Sequence, residues 1–193
     1  MFYVGELLRR LFGGVPALSP PKSRIHMKRP FVILSIVFLM DSCKENPVSS
    51  PVSEETDMQE VVFRHQFASN GSGFADTTAK FFFLAIVVVD SNHHVKSSAD
   101  PSDEFMTRFS SNKPPVKKYT QATIQPSGGV YDKDSGLRGL LFRVGQIRKT
   151  SETEAEVEGG YYAGGLNAEG DVFYLRRSNG RWWVYRVQYF WVS

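Results

Sequence analysis

Apolar and polar positions change period along the chain, and each period predicts a different element. Met58, Val61, Val62, His65 and Ala68 recur at three- and four-residue spacing, which predicts a helix over 55–69 with these side chains on one face. Asn70-Gly71-Ser72-Gly73 ends it. Phe81 to Val89 is an unbroken apolar run between Lys80 and Asp90, too short to cross a membrane and suited to a strand buried on both faces. Asp100-Pro101-Ser102-Asp103 reads as a second helix start: Asp100 caps it, Pro101 fits its first turn and Asp103 complements its dipole. Phe105, Met106 and Phe109 give that helix a short apolar face, and Pro114-Pro115 stops it. Val116 to Ile124 is a weaker strand candidate.

From Leu137 the period becomes two, and a long antiparallel meander is expected. Leu140, Phe142 and Val144 alternate with small or polar neighbours. Glu152, Glu154, Glu156 and Glu158 then alternate with Thr153, Ala155, Val157 and Gly159, giving a strand one acidic face, to which Arg143, Arg148 and Arg176 can pair from neighbouring strands. Ser178-Asn179-Gly180-Arg181 is a hairpin signal, because Asn-Gly tolerates positive φ at both central turn positions. It joins Val172–Arg177 to Trp182–Val192. Strict alternation in the last strand puts Trp183, Tyr185, Val187, Tyr189 and Trp191 on one face, and Arg186 and Gln188 on the other. An aromatic face needs cover, here expected from the two helices. The expected fold is α+β, with two helices packed on a strongly curved, mostly antiparallel sheet.

The order helix, strand, helix, sheet, with a closing hairpin of the form apolar-basic-Asn-Gly-basic-Trp, resembles the NTF2-like superfamily. The stretch Glu158-Gly159-Gly160-Tyr161-Tyr162-Ala163-Gly164-Gly165 ahead of that hairpin is similar to segments of uncharacterised secreted bacterial domains. The resemblance covers about residues 55–193, and a cystatin-like fold is the second choice. It implies a cone with an internal cavity, in which a His, Asp or Tyr acts as general acid or base.

The N-terminal part reads as an address. Lys28-Arg29 precede an uncharged apolar stretch, Pro30 to Met40, and Ser42 stands directly before Cys43, the chain's single cysteine. About 11 apolar residues fall short of the ~20 a membrane-spanning helix needs but suit a signal-peptide core. The arrangement resembles the lipobox of bacterial lipoproteins, with Met40, Asp41 and Ser42 where the usual pattern has Leu, Ala or Ser, and Gly or Ala. It implies cleavage before Cys43 and acylation of that residue, two or three acyl chains making a stable anchor. Translation is then expected to start at Met27, leaving 1–26 as an artefactual extension, the alternative being a start at Met1 and a genuine extension with an amphipathic helix from Tyr3 to Phe12. Residues 27–42 are then signal peptide, 43–57 a lipid-anchored flexible tether, and 58–193 a single domain. The tether reading rests on the Ser, Pro and Glu content of Lys44–Asp57, which has no apolar period.

The address changes the meaning of the charge. The chain of 193 residues has a net charge of +3. Six of its 23 basic and two of its 20 acidic residues precede Cys43, so 17 basic and 18 acidic residues remain in the mature part. That balance leaves no electrostatic case for nucleic acid. The expected partners are the membrane, through the lipid anchor at the cell envelope, and an envelope protein or small ligand.

Candidate chemistry is sparse. His93-His94 near Asp90 suggests a metal site only superficially, since neighbours in an extended chain point opposite ways and no further ligands sit at zinc-like spacing. Asp132-Lys133-Asp134-Ser135-Gly136 starts like a calcium loop, but Gly136 takes its third acidic position, and a turn is the better reading. No serine lies in a Gly-x-Ser-x-Gly context and no phosphate-binding glycine loop occurs. No cofactor or metal is expected. His65, on the apolar helix face, is either a structural histidine or a cavity-facing acid or base. The glycines around Tyr161 and Tyr162 mark either a bulge that bends the sheet or a pocket wall. His65, Tyr161 and Tyr162 are therefore the candidate ligand pocket. A non-enzymatic binding or interaction module is the preferred function, a small-molecule binder or enzyme of NTF2-like type the second, and a purely structural envelope protein the third. A cavity of a few hundred Å³ holding a histidine would favour the second, and a filled interior with an exposed aromatic patch the first.

Overall fold

The computed structural model describes residues 51–69, 78–126, 128–165 and 167–192. The chain divides into units 1–45 and 46–193. Cys43, the signal-peptide stretch and the upstream extension lie outside the described residues.

The element order is α1 (Pro51–Ser69), β1 (Phe81–Val89), β2 (Val95–Ala99), α2 (Asp103–Thr107), β3 (Val116–Lys118), a 3-10 turn (Tyr119–Gln121), β4 (Ala122–Ile124), β5 (Val130–Asp132), β6 (Arg138–Lys149), β7 (Glu154–Gly164), β8 (Asn167–Ser178) and β9 (Arg181–Val192). Strands take 53% of the described residues and helices 20%, so the fold is β-rich and the expected α+β balance of two helices on a sheet is overturned. Among the described residues nine strands form one mixed sheet with the main order β2-β1-β6-β7-β8-β9. It is less antiparallel than expected at its centre: β1 runs parallel to both β3 and β6. One reason for the imbalance is α2, which has only five residues. Ser102, not Asp100, caps it, accepting from the Phe105 N–H, while Asp100 accepts from the Thr120 N–H and hydroxyl.

Helix α1 begins at Pro51, so the folded part starts before residue 58 and takes in the last stretch of the expected tether. Proline suits a first helical position, and Glu54 in the first turn complements the dipole. Glu54 also pairs with Lys149 at 2.7 Å and Arg177 at 3.0 Å, which ties the start of the helix to β6 and β8. The buried face of α1 is Met58, Val62, Phe63 and Gln66, with Phe67 packed beside them. Ala68 is exposed and His65 lies at the edge. Phe63 and Phe67, one turn apart, turn the helix so that their larger rings are buried.

The sheet has two faces. On the helix side Phe82, Leu84, Leu140, Phe142, Val144, Val157, Phe173 and Leu175 pack against α1 and α2. On the other side Phe83, Ala85, Val87 and Leu141 form a second, smaller core under Ala122 and Val130. The expectation that β1 is buried on both faces holds, since Phe82, Phe83, Leu84 and Ala85 are all buried. Asn179 and Gly180 have φ of 51° and 75°, and the hairpin they form joins β8 to β9 as the dipeptide predicts.

Strand β9 departs from strict alternation. Its register against β8 shifts at two places, leaving Tyr185 and Phe190 as extra residues. Each bulge adds one residue and so exchanges the faces of everything beyond it. Trp182, Val184 and Val187 consequently pack into the helix-side core. Trp183 and Tyr185 are 45% and 37% exposed, so the helices do not cover the aromatic row foreseen for this strand. The sheet is also far from flat. His93, in the turn after β1, stacks on Phe190 of β9 with ring centroids 4.5 Å apart. Four strand spacings would separate β1 from β9 by ~19 Å in a flat sheet.

Candidate functional site

The helix side and the other side of the meander each hold a group of polar residues. On the helix side, α1 supplies His65, Gln66 and Ser69, β7 supplies Tyr161, and β8 supplies Glu169 and Asp171. They surround a cavity of about 10 Å³, room for roughly one water. Gly160, at φ 148°, stands opposite Gly170 and brings β7 and β8 together here, and a Cβ on Gly160 would overlap the Glu169 carbonyl oxygen.

This cluster holds protons on Asp171 and Tyr161. Burial, then the charge of Glu169 and a hydrogen bond with it, pushes the Asp171 carboxyl up to about 8. Burial, then Glu169 and Asp171, pushes the Tyr161 hydroxyl up to about 12. Burial lowers His65, whose ring meets Phe173 edge-on at 5.8 Å. Asp171 and Tyr161 therefore hold protons at neutral pH while His65 stays uncharged. The groups are of the kinds used in acid–base chemistry, but the space beside them admits no substrate larger than a water.

Of the three residues predicted to share a pocket, His65 and Tyr161 meet here. Tyr162 does not, because it is the next residue in the strand and faces the other way, into the smaller core with Phe83 and Leu141. Glu169 and Asp171 were missed. The signal was present: both share the phase of Phe173 and Leu175, which are buried, and an acid in phase with a core residue points inward.

The second group lies on the open side of β6–β9. A groove of about 330 Å³ is lined by His93, Gln146, Arg148, Glu156, Glu158 and Tyr174, among others. Arg148 pairs with Glu156, and Arg176 with Glu154 at 2.8 Å, so two of the three predicted arginines meet the acidic row. Arg143 does not join them. Its guanidinium donates to the Tyr161 carbonyl at 3.4 Å, and burial lowers its pKa. Glu158 instead meets His93 Nδ1 at 3.2 Å, and no partner stands by its other oxygen among the described residues. Beyond the groove the row continues as aromatics and arginines. The Arg186 guanidinium lies 3.6 Å over the Tyr174 ring and the Arg176 guanidinium 4.6 Å over Tyr185. Tyr185 contacts Tyr174 and Trp183, with centroids 6.3 and 6.0 Å apart. Tyr174 also donates its hydroxyl to Gln188 at 3.0 Å.

The loop candidates resolve into turns. Asp90 accepts from the Asn92 and His94 backbone N–H groups, and the two histidine rings take different partners, His93 beside Glu158 and His94 beside Asp90. Asp132 accepts from Ser135 and pairs with Lys117 at 2.7 Å. Among the described residues no three His, Cys, Asp or Glu side chains gather as metal ligands, and no helix is long and apolar enough to cross a membrane. Comparison with known proteins gives no match, whether to a family model, a curated protein or a solved structure.

Proposed function

We propose that the folded part is a non-catalytic binding module of the cell envelope and that its ligand seats on the open face of the sheet. The observation that carries this reading is the contrast in room and exposure between the two polar groups. The helix-side cluster surrounds about 10 Å³, whereas the open face offers about 330 Å³ lined in part by Tyr174, whose ring contacts Tyr185 and through it Trp183. Aromatic side chains left exposed beside arginines are the composition of a recognition surface.

The address is part of the proposal. The basic pair, apolar stretch, Ser42 and Cys43 support a lipid anchor to an envelope membrane after export, with Cys43 as the acylated residue. Intact mass measurement of the membrane fraction tests it. A chain starting at Cys43 with added acyl mass, lost in Cys43→Ser, is the expected result, and an unmodified chain removes the anchor.

Binding is tested by retention of the full chain on isolated envelope fragments. Retention is expected for the wild type and for Leu137→Ala, an exposed site away from the open face. It is expected to be lost in Trp183→Ala and Tyr185→Ala. Equal retention of all four sinks the open face as the binding surface.

A second reading is small-molecule acid–base chemistry at His65 and Tyr161, and the proton held by Asp171 favours it. It requires α1 to move away from β7 and β8 to admit a substrate.

A further inference from the structure

The open face can be read more closely for what it would hold. Its charges are interleaved: Glu156 pairs with Arg148 and Glu154 with Arg176, Glu158 hydrogen-bonds the His93 ring, and Arg186 lies over the Tyr174 ring. A surface on which both signs alternate exerts little net pull on an ion, so neither an anion nor a cation is its natural occupant. It presents alternating donors and acceptors, on the guanidinium edges and carboxylate oxygens, beside the ring of Trp183. Among the described residues no guanidinium sits over the Trp183 ring as Arg186 and Arg176 sit over Tyr174 and Tyr185. Trp183 is also the more exposed of the two open-face aromatics at its end of the row, at 45% against 37% for Tyr185.

The occupant that fits this chemistry is uncharged, has flat C–H faces to lie on an aromatic ring, and carries many hydroxyls that both donate and accept. Those are the properties of a sugar ring. From Val172 to Arg176, β8 runs for ~14 Å at ~3.4 Å per residue, enough for more than one sugar. A globular protein partner would instead call for an apolar centre with the charges at its rim. Here the Glu156–Arg148 pair lines the groove itself and the Glu154–Arg176 pair stands between the groove and Trp183, so charge runs through the middle of the row.

We infer that the open face binds a neutral oligosaccharide chain, laid along β8 with one sugar ring on Trp183 and its neighbours hydrogen-bonded by the Glu156–Arg148 and Glu154–Arg176 pairs. This inference rests on the binding-module reading above and names its ligand class.

The test is native gel electrophoresis of the full chain, purified in detergent, in gels cast with one soluble polysaccharide each. The probes are a β-glucan, a xylan, an α-mannan, a galactan and the anionic polygalacturonate. At least one neutral polysaccharide is expected to retard the wild type. Trp183→Ala should weaken that retardation by about tenfold or more, as loss of a central aromatic anchor does. Trp183→Phe, which keeps a ring face, should retain most of it, and Leu137→Ala should retain all of it. The inference is overturned if no neutral polysaccharide acts, if only polygalacturonate does, or if Trp183→Ala binds as the wild type does.

Envelope fragments treated beforehand separate this failure from failure of the broader reading. Periodate cleaves vicinal diols and should abolish Trp183-dependent retention, while protease should not. Retention that depends on Trp183 but is lost to protease and survives periodate overturns the glycan while leaving the binding module. Absence of any Trp183-dependent retention removes both.

Discussion

Strand β8 carries two different solutions to the same problem, that of placing a carboxylate or an aromatic ring on a sheet. On the helix side Glu169 and Asp171 precede Phe173 and Leu175, are buried, and lie beside no arginine or lysine in their cavity. There the desolvation cost is met by holding a proton on Asp171. On the open side of the same hairpin, Glu154 and Glu156 of β7 pair with Arg176 and Arg148, and the aromatic rings of Tyr174 and Tyr185 lie under guanidinium groups. One face holds a proton on a buried carboxyl and leaves room for about one water. The other pairs its carboxylates with guanidinium groups and leaves the pairs open to solvent. The difference assigns the two faces different work: the first holds the domain together, and the second is free to meet a ligand.

The largest test of that division uses neighbouring tryptophans. Trp182 is buried among helix-side core residues and Trp183 is nearly half exposed on the other face. Trp182→Ala is expected to cost about 3–5 kcal/mol of unfolding free energy, as other buried large-to-alanine changes do. Trp183→Ala is expected to cost about 1 kcal/mol or less, in line with surface changes. Urea denaturation with a common slope for both variants measures the difference. Equal costs would show that both faces are structural and would end the comparison.

Those two residues also show what the sequence could and could not reveal. The Asn179-Gly180 hairpin and the buried run Phe81–Val89 are readable because local backbone preference and a continuous apolar stretch decide them alone. The acidic row of β7 and its arginine partners are readable for the same kind of reason, since period two fixes their face. The face of Trp182 is not readable, because it depends on a bulge at Tyr185 that nothing in Val184-Tyr185-Arg186 announces. The helix content was overestimated at α2, where Asp100 had a better partner in Thr120, far along the chain. Half of the helix-side polar cluster was legible. His65 and Tyr161 were found from helical spacing and from the glycines around them. Glu169 and Asp171 were overlooked because Ala-Glu-Gly-Asp has the composition of a turn, and its strand phase becomes visible only from Phe173 and Leu175 downstream.

The next test in size concerns pH. The folded pKa of Asp171, about 8, stands well above the 3.8 of an unperturbed aspartate. Between those values the folded chain holds one proton more than the unfolded chain, so this group makes stability fall as pH rises from about 4 to about 8. The slope has an upper limit of ~1.4 kcal/mol per pH unit. Asp171→Asn keeps a donor toward Glu169 and does not titrate, so it should flatten the decline and gain on the wild type as the pH approaches 8. Parallel stability curves for the two proteins from pH 5 to pH 8 would show that the helix-side carboxylate is not protonated by its surroundings.

The smallest effect belongs to the open face and is the sharpest of the three in what it discriminates. The Glu156–Arg148 and Glu154–Arg176 pairs are solvent-exposed, with arginine side chains 70% and 49% accessible. Exposed ion pairs contribute about 0–1 kcal/mol and less as salt screens them. A double-mutant cycle with Glu156→Gln and Arg148→Gln should therefore give a coupling energy within that range at low salt, vanishing near 1 M. The same single changes, if a ligand hydrogen-bonds to both members of the pair, should weaken its binding with little dependence on salt, because each removes a hydrogen bond to an uncharged partner. A coupling of several kcal/mol would mean that the row is structural like the buried dyad behind it. A small coupling together with a large, salt-insensitive loss of binding would mean that the fold does not need these charges and that their arrangement reflects the ligand.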